Sequence, residues 1–129
     1  MKFALLVSSL ASLANAAFWT KSCSDPFIKN FVLHGDCNKL DGSVSSASLD
    51  LNSCFAFDGD RIISQGNGNI GDSCEDCWLS SYSEVDEAGN DIGERFEMTC
   101  ACPGKDVPRQ VYTAAIDLPI DNYDGQLIC

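Results

Sequence analysis

Basic residues are scarce in this chain of 129 residues. Lys and Arg total 8 against 19 Asp and Glu, which gives a formal net charge of −11. Nucleic-acid binding needs clustered Lys and Arg that displace counterions from phosphates, so the composition argues against a nucleic-acid partner. The same negative charge disfavours binding to an anionic lipid surface, whereas it does not oppose the binding of neutral ligands.

Histidine and long apolar runs are also scarce. With one histidine, His34, in the chain, a zinc or catalytic-triad role for that residue is disfavoured. Residues 1–16 predict a secretory signal peptide, because Lys2 precedes an apolar stretch that ends in Ala14-Asn15-Ala16. No other stretch approaches the roughly 20 apolar residues of a membrane helix. We therefore expect a secreted, extracellular mature chain, residues 17–129, with no membrane partner.

Cysteine, by contrast, is abundant. The eight cysteines all lie in the mature chain: Cys23, Cys37, Cys54, Cys74, Cys77, Cys100, Cys102 and Cys129. An even count in an oxidising compartment predicts four disulfides, for which roughly a hundred pairings are possible. The alternative is a four-thiolate zinc site at Cys74, Cys77, Cys100 and Cys102, which secretion disfavours. A redox motif at Cys74 and Cys77 would need alternating helices and strands that the sequence does not show.

Frequent turn signals and weak helical periodicity indicate mostly β structure. The dipeptides Asp41-Gly42, Asp58-Gly59 and Asp124-Gly125 favour tight hairpins, whose two central residues need positive φ. Short apolar or alternating runs that predict strands lie at residues 31–33, 48–51, 61–63, 111–118 and 126–128. The acidic segment 83–94 has no apolar periodicity and predicts an exposed loop. A calcium loop is the alternative there, but the spaced ligands that calcium prefers are missing.

The most informative feature is an internal repeat. The stretch 48–51, followed by Asp58-Gly59, recurs as 115–118 followed by Asp124-Gly125. Upstream of each copy lies a segment bounded by cysteines, 23–37 in the first and 74–102 in the second. The acidic segment accounts for the greater length of the second copy. The repeats therefore span about 23–73 and 74–129.

These residues resemble the cyanovirin-N homology family of small lectins. The match rests on the segment 23–37, the stretch Ser48 to Asn52 with Asp58-Gly59, and Ile116-Asp117-Leu118 with Asn122 to Gly125. The resemblance implies a mostly β, pseudo-twofold single domain over 17–129, with short helical turns only. Its two repeats would exchange β-hairpins, so that each half is completed by the other. It also implies a monomer, or a domain-swapped dimer in which two chains make the same exchange.

The resemblance further implies disulfides Cys23–Cys37 and Cys74–Cys102. Of the other four cysteines, Cys77 and Cys100 lie inside the second pair on strands expected to be neighbours. Pairing them leaves Cys54 with Cys129, which would tie the C-terminus to the first repeat.

Two carbohydrate sites follow from the same resemblance. The residues that map to the first are Lys21, Ser22, Asn38, Asn122, Tyr123 and Asp124. The residues that map to a second, weaker site are Ala56, Phe57, Asp58, Asn69, Asp72, Ser73 and Lys105. The second is weaker because Ala56 replaces the asparagine expected before the Asp-Gly turn. Asp58 and Asp124 have an alternative role as turn formers.

Four aromatic residues and one carboxylate pair have competing interpretations. Phe27 and Trp78 occupy matching places in the repeats, and we expect paired core aromatics rather than a sugar platform. Phe18 and Trp19 precede the first site, where partial exposure would let them stack on a sugar. Asp58 and Asp60 are two residues apart, but a glycosidase needs a deep cleft and one carboxyl of raised pKa.

The resulting prediction is a secreted, non-enzymatic lectin that binds neutral, mannose-rich glycans without metal or cofactor. The alternative is a secreted interaction or effector protein that keeps the scaffold but has lost sugar binding, which Ala56 and the acidic segment favour. A small hydrolase is opposed by the missing nucleophile and base.

Overall fold

The computed structural model describes residues 19–117 and 119–129. The predicted signal peptide, Phe18 and Leu118 lie outside the described residues. None of the helices in the described ranges has the length and apolar character needed to cross a membrane.

Short β-strands dominate the described chain. The helical elements are a single turn, α1 (Trp19–Ser22), and the 3-10 turns η1 (Leu51–Ser53) and η2 (Ile70–Asp72). The strands are β1 (Cys23–Lys29), β2 (Val32–Asn38), β3 (Val44–Asp50), β4 (Phe55–Phe57), β5 (Ile62–Ser64), β6 (Glu75–Val85), β7 (Asp91–Cys102), β8 (Gln110–Ala115), β9 (Asp121–Tyr123) and β10 (Gln126–Ile128). The predicted mostly β class with short helical turns is confirmed.

The sheet topology repeats itself. In each half, a three-stranded antiparallel sheet is followed by a two-stranded hairpin: β1-β2-β3 with β4-β5, then β6-β7-β8 with β9-β10. Strand β10 of the second repeat packs against β3 of the first, and β5 packs against β8. The exchange of hairpins between the repeats is therefore confirmed. It suits short repeats, since a unit of about 50 residues can barely bury a core of its own.

The three Asp-Gly dipeptides all lie in turns between paired strands, as predicted. Only Asp124-Gly125 has two left-handed central residues, with φ of 48° and 82°. At the other two turns the glycine alone has positive φ, so that part of the prediction is wrong there. Those loops are longer, and the aspartate instead accepts backbone N–H groups, as when Asp41 Oδ1 accepts from Ser43 N at 2.8 Å.

Four disulfides cross-link the chain, and none of its cysteines is free. The pairs are Cys23–Cys37, Cys54–Cys129, Cys74–Cys102 and Cys77–Cys100. This pairing agrees with the one expected above. The four-thiolate zinc alternative is wrong, because its cysteines are bonded to one another. Both long sheets and both hairpins contribute to one buried cluster that includes Trp19, Leu33, Phe55, Met98 and Leu127.

The acidic segment 83–94 is exposed, but it is not a loop. Strands β6 and β7 continue through it to a tight turn at residues 86–90, with pairs such as Ser83 with Glu94. Asp86 Oδ1 accepts from the backbone N–H of Ala88 at 3.0 Å and of Asn90 at 2.8 Å. Arg95 and Glu84 form an ion pair across the strands. Cross-strand pairing and this aspartate turn stabilise a hairpin that apolar periodicity does not reveal.

The aromatic predictions need correction. Phe27 is 51% exposed and Trp78 is 44% exposed, so neither is a core residue. Each follows a β-bulge, between Ser24 and Phe27 and between Glu75 and Trp78, that shifts the register by one residue. Because strand side chains alternate between faces, a one-residue shift moves each ring from the core face to the outer face.

Trp19, considered above as an exposed stacking residue, is completely buried. Its ring lies 5.5 Å from that of Phe96, and its Nε1–H donates to the Ile116 carbonyl at 3.2 Å. It is a core residue whose polar group is satisfied.

Candidate functional site

The predicted first site surrounds the turn between β9 and β10. Asn122 in this hairpin is only 1% exposed. Its amide Nδ2 donates to Ser22 Oγ at 2.9 Å and to the Asn38 carbonyl at 3.1 Å, and its Oδ1 accepts from Gly125 N at 2.9 Å. Ser22 is buried as well. Both residues therefore fasten the hairpin to the first repeat, and their part in a sugar site stays a prediction.

The remaining members of that site are exposed. Tyr123 is 65% exposed, and Lys21, Asn38 and Asp124 also lie at the surface. Asp124 Oδ1 accepts from Leu40 N at 2.9 Å, which leaves its second carboxylate oxygen available. We call these four exposed residues the Tyr123 surface.

Glycine is required at the tip of this hairpin. A Cβ on Gly125 would lie 2.4 Å from Ser45 Oγ, and the φ of Gly125 is 82°. The Gly125 carbonyl accepts from Ser45 Oγ at 2.8 Å. The hairpin of the second repeat is thus held closely against the first.

The predicted second site is an open groove of about 690 Å³, which we call the Asp58 groove. Its lining consists of Phe57, Asp58, Gly59, Asp72, Ser73, Pro103, Gly104, Lys105 and Arg109. Three of the predicted second-site residues, Asp58, Asp72 and Ser73, are therefore brought together, as are Phe57 and Lys105. Asn69 is not part of the lining; it immediately precedes η2, with a left-handed φ of 52° and no side-chain capping hydrogen bond. Ala56 is buried behind the groove.

Arg109 is a groove residue that the sequence did not indicate. It donates from Nη1 to the Ser73 carbonyl at 3.3 Å, and its guanidinium pairs with Glu75. Neither partner lies within 30 residues of it in sequence, and no spacing rule connects them. Only the antiparallel arrangement of the second sheet places Arg109 beside η2.

The electrostatics of the groove suit hydrogen bonding rather than acid catalysis. Asp58 Oδ1 accepts from the backbone N–H groups of Asp60 and Arg61, each at 2.8 Å. These hydrogen bonds lower the pKa of Asp58 below its ordinary value of 3.8. Lys105 Nζ lies 3.5 Å from Asp60 Oδ1. A carboxyl that remains ionised is the opposite of the protonated acid that a glycosidase needs.

The pseudo-twofold repeat allows the two candidate sites to be compared position by position. Ala56 occupies the place of Asn122, Ser73 that of Ser22, and Pro103 that of Asn38, counted from the matching cysteines and Asp-Gly turns. A methyl group cannot make the hydrogen bonds that the Asn122 amide makes. The hairpin tip at Asp58 is therefore not tied down in this way, and the groove lies between it and the second repeat.

Across residues 19–117 and 119–129, no group of three or more His, Cys, Asp or Glu side chains is placed to hold a metal ion.

A family model described as the CVNH domain matches residues 19–128. The chain belongs to the CVNH family. Comparison with curated proteins gives no match. Among solved structures, the NMR structure of the Gibberella zeae CVNH protein superposes with a TM-score of 0.66 at 19% identity, over 85% of this chain and 94% of that one.

Two further CVNH-like structures contain sugars. A complex of microvirin with mannobiose matches with a TM-score of 0.58 at 21% identity, over 85% of this chain and 95% of that one. A MoCVNH3 variant in complex with (N-GlcNAc)4 matches with a TM-score of 0.65 at 15% identity, over the same shares of the two chains. At these identities the likeness shows that the fold is shared.

Proposed function

We propose that this CVNH chain is a secreted, non-enzymatic lectin that binds neutral glycans, with mannose-rich glycans as the first class to test. The observation that carries the proposal is the Asp58 groove. There, an exchanged hairpin and the segment after the Cys74–Cys102 disulfide enclose an open space of about 690 Å³. Its volume lies within the range of about 300 to 1,000 Å³ that is usual for small-molecule sites.

The groove offers the groups that sugar hydroxyls require. The carboxylates of Asp58 and Asp72 accept hydrogen bonds, while Lys105 and Arg109 donate them. Phe57 supplies an apolar wall, since its ring is partly exposed and is fixed edge-on against Tyr112 with centroids 4.8 Å apart. Donors, acceptors and a ring on one shallow surface are the combination expected of a sugar site.

This proposal reverses the order of the two sites expected from sequence. The Asp58 groove becomes the principal site, because nothing equivalent to the Asn122 amide closes it. The Tyr123 surface becomes the minor site, with Lys21, Asn38, Tyr123 and Asp124 as its ligand-facing groups. Ser22 and Asn122 are assigned to position the hairpin.

Two CVNH-like proteins support the ligand class, since their structures contain mannobiose and (N-GlcNAc)4. Both are neutral sugars. A neutral ligand also suits a chain of net charge −11, which would repel an anionic one.

A glycan array with the oxidised mature protein tests the proposal. We expect binding to mannose-rich glycans that is unchanged by a chelator, since the proposed contacts involve no metal. Asp72→Asn at the groove should weaken the binding by about ten-fold, because it removes one charged acceptor. The matched control, Tyr123→Ala, should weaken it by a smaller factor. Absence of glycan binding by a folded, fully disulfide-bonded sample would overturn the proposal.

A second candidate is an interaction protein without sugar binding, and the β6–β7 hairpin favours it. The tip of the hairpin carries exposed Val85 and Ile92, and residues 83–94 contain five acidic residues and no basic ones. Such a surface suits a basic protein partner. This candidate predicts that Asp72→Asn has no effect on partner binding, whereas Val85→Ser with Ile92→Ser abolishes it.

A further inference from the structure

A pocket outside both candidate sites lies where the two three-stranded sheets meet. It has a volume of about 320 Å³, and its lining includes Lys29, Asn30, Phe31, Asp76 and Trp78. We call it the junction pocket. It combines residues of β1 and the β1–β2 turn with residues of β6, so both repeats contribute to it. Its volume is close to the lower limit of small-molecule sites, which suits a ligand of one ring.

Trp78 is the distinctive feature of this pocket. Its counterpart in the first repeat, Phe27, is covered by the imidazole of His34, with ring centroids 4.8 Å apart and planes 15° from parallel. The residue paired with Trp78 is Thr99, whose hydroxyl lies 3.2 Å from that of Thr113. Trp78 has no ring partner among the residues that the structure describes. Its indole is therefore left open to an external ring.

Polar groups surround the indole. Asn30 is exposed at the tip of the β1–β2 turn, and Lys29 and Asp76 lie on opposite sides of the junction. Neither Lys29 nor Asp76 forms an ion pair with any other residue of the described ranges. An ammonium, an amide and a carboxylate beside one open aromatic face can donate to and accept from the hydroxyls of a sugar.

The backbone holds these groups in place. Asn30, Phe31 and Asp76 have left-handed φ values of 51°, 63° and 49°. Asn30 and Phe31 are the two central residues of the hairpin between the paired residues Lys29 and Val32, and this turn requires positive φ at both positions. The Phe31 ring packs inward beside Gly71, which anchors the turn and leaves Asn30 facing outward.

We propose that the junction pocket binds one pyranose unit of a neutral glycan, with Trp78 as the stacking platform. The sugar class rests on the proposed function, whereas the location rests on this pocket alone. A protein with this third site and the Asp58 groove would engage two sugars at once. Linked sites of modest affinity gain strength through multivalency.

Indole resonances provide a direct test, because the chain has two tryptophans and Trp19 is buried. The oxidised, ¹⁵N-labelled protein is titrated with the methyl glycosides of mannose, glucose, galactose and N-acetylglucosamine. We expect the Trp78 indole and the amides of Lys29, Asn30 and Asp76 to shift saturably with one of them, while the Trp19 indole stays in place. Trp78→Ala should weaken this binding by about ten-fold, and Trp78→Phe by less. The matched control, Phe27→Ala, should leave it unchanged.

The outcomes separate this inference from the proposed function. Shifts at the Asp58 groove without any at the junction pocket would overturn the inference and leave the proposed function standing. Shifts at the junction pocket alone would support the inference and contradict the placement of the principal site. Shifts at neither place with all four glycosides would overturn the inference. An unchanged dissociation constant for the junction shifts in Trp78→Ala, shown to be folded by circular dichroism, would also overturn it.

Discussion

Replacing Asn122 with alanine tests the positioning role that the structure gives to this residue. The amide makes three hydrogen bonds from a nearly inaccessible position, to Ser22 Oγ, the Asn38 carbonyl and the Gly125 N–H. Each hydrogen bond contributes about 1 kcal/mol net, and a buried group left without its partner costs about 1 to 3 kcal/mol. We therefore expect Asn122→Ala to lower the free energy of unfolding by about 3 kcal/mol.

Equilibrium unfolding in urea, with the disulfides intact, measures this loss. Fluorescence follows the reaction, since Trp19 is buried in the folded chain and becomes hydrated on unfolding. Tyr123→Ala is the matched control, because the neighbouring ring is mostly exposed and its loss should change stability by less than about 0.5 kcal/mol. A loss below about 1 kcal/mol for Asn122→Ala would show that the hydrogen bonds do not fasten the hairpin.

Two further predictions concern the disulfides and the acidic hairpin. Replacing both Cys54 and Cys129 with alanine opens a loop of 75 residues and should lower the free energy of unfolding by about 4 kcal/mol in the chain-entropy model. The same urea assay measures the loss, and an unchanged urea midpoint of unfolding would contradict the prediction. Hydrogen bonds from Asn90 lower the pKa of Asp86 below 3.8 in the folded state. The ionised carboxylate therefore stabilises the fold above pH 3.8, and this stabilisation is lost as the pH falls through the folded-state pKa. Asp86→Asn should lower the melting temperature at pH 6 and make that temperature less sensitive to acid between pH 4 and about 2. The same dependence of melting temperature on pH in both proteins would refute this.

Much of the fold could be predicted because its signals are local or repeated. The Asp-Gly turns specify their hairpins through backbone preferences, and the two ordered copies of one pattern imply two similar halves. The hairpin exchange and the disulfides Cys23–Cys37 and Cys74–Cys102 followed from the family resemblance, which the CVNH domain match over residues 19–128 bears out.

The errors arise where distant residues decide the outcome. A one-residue bulge turned Trp78 outward, and nothing in the spacing of its strand announced that bulge. The sequence suggested that Asn122 belongs to the first site, but its partners Ser22 and Asn38 lie 100 and 84 residues away, so its burial could not be foreseen. Arg109 and Ser73 are brought together in the same way by the second sheet.

Ala56 shows how one small residue can carry information that only the structure reveals. In sequence, its methyl group indicates a weakened site, because an amide is missing. In the structure, the matching amide of Asn122 faces inward and closes its own hairpin against the first repeat. The same substitution is therefore consistent with a groove that remains open at Asp58.

Amide chemical-shift mapping with mannobiose shows residue by residue whether a glycan binds in the Asp58 groove. We predict saturable shifts for Asp58, Gly59, Asp72, Ser73 and Lys105, with smaller shifts at Tyr123 and Asp124. Shifts at the Tyr123 surface with none in the groove, or no shifts at all, would contradict glycan binding in the Asp58 groove.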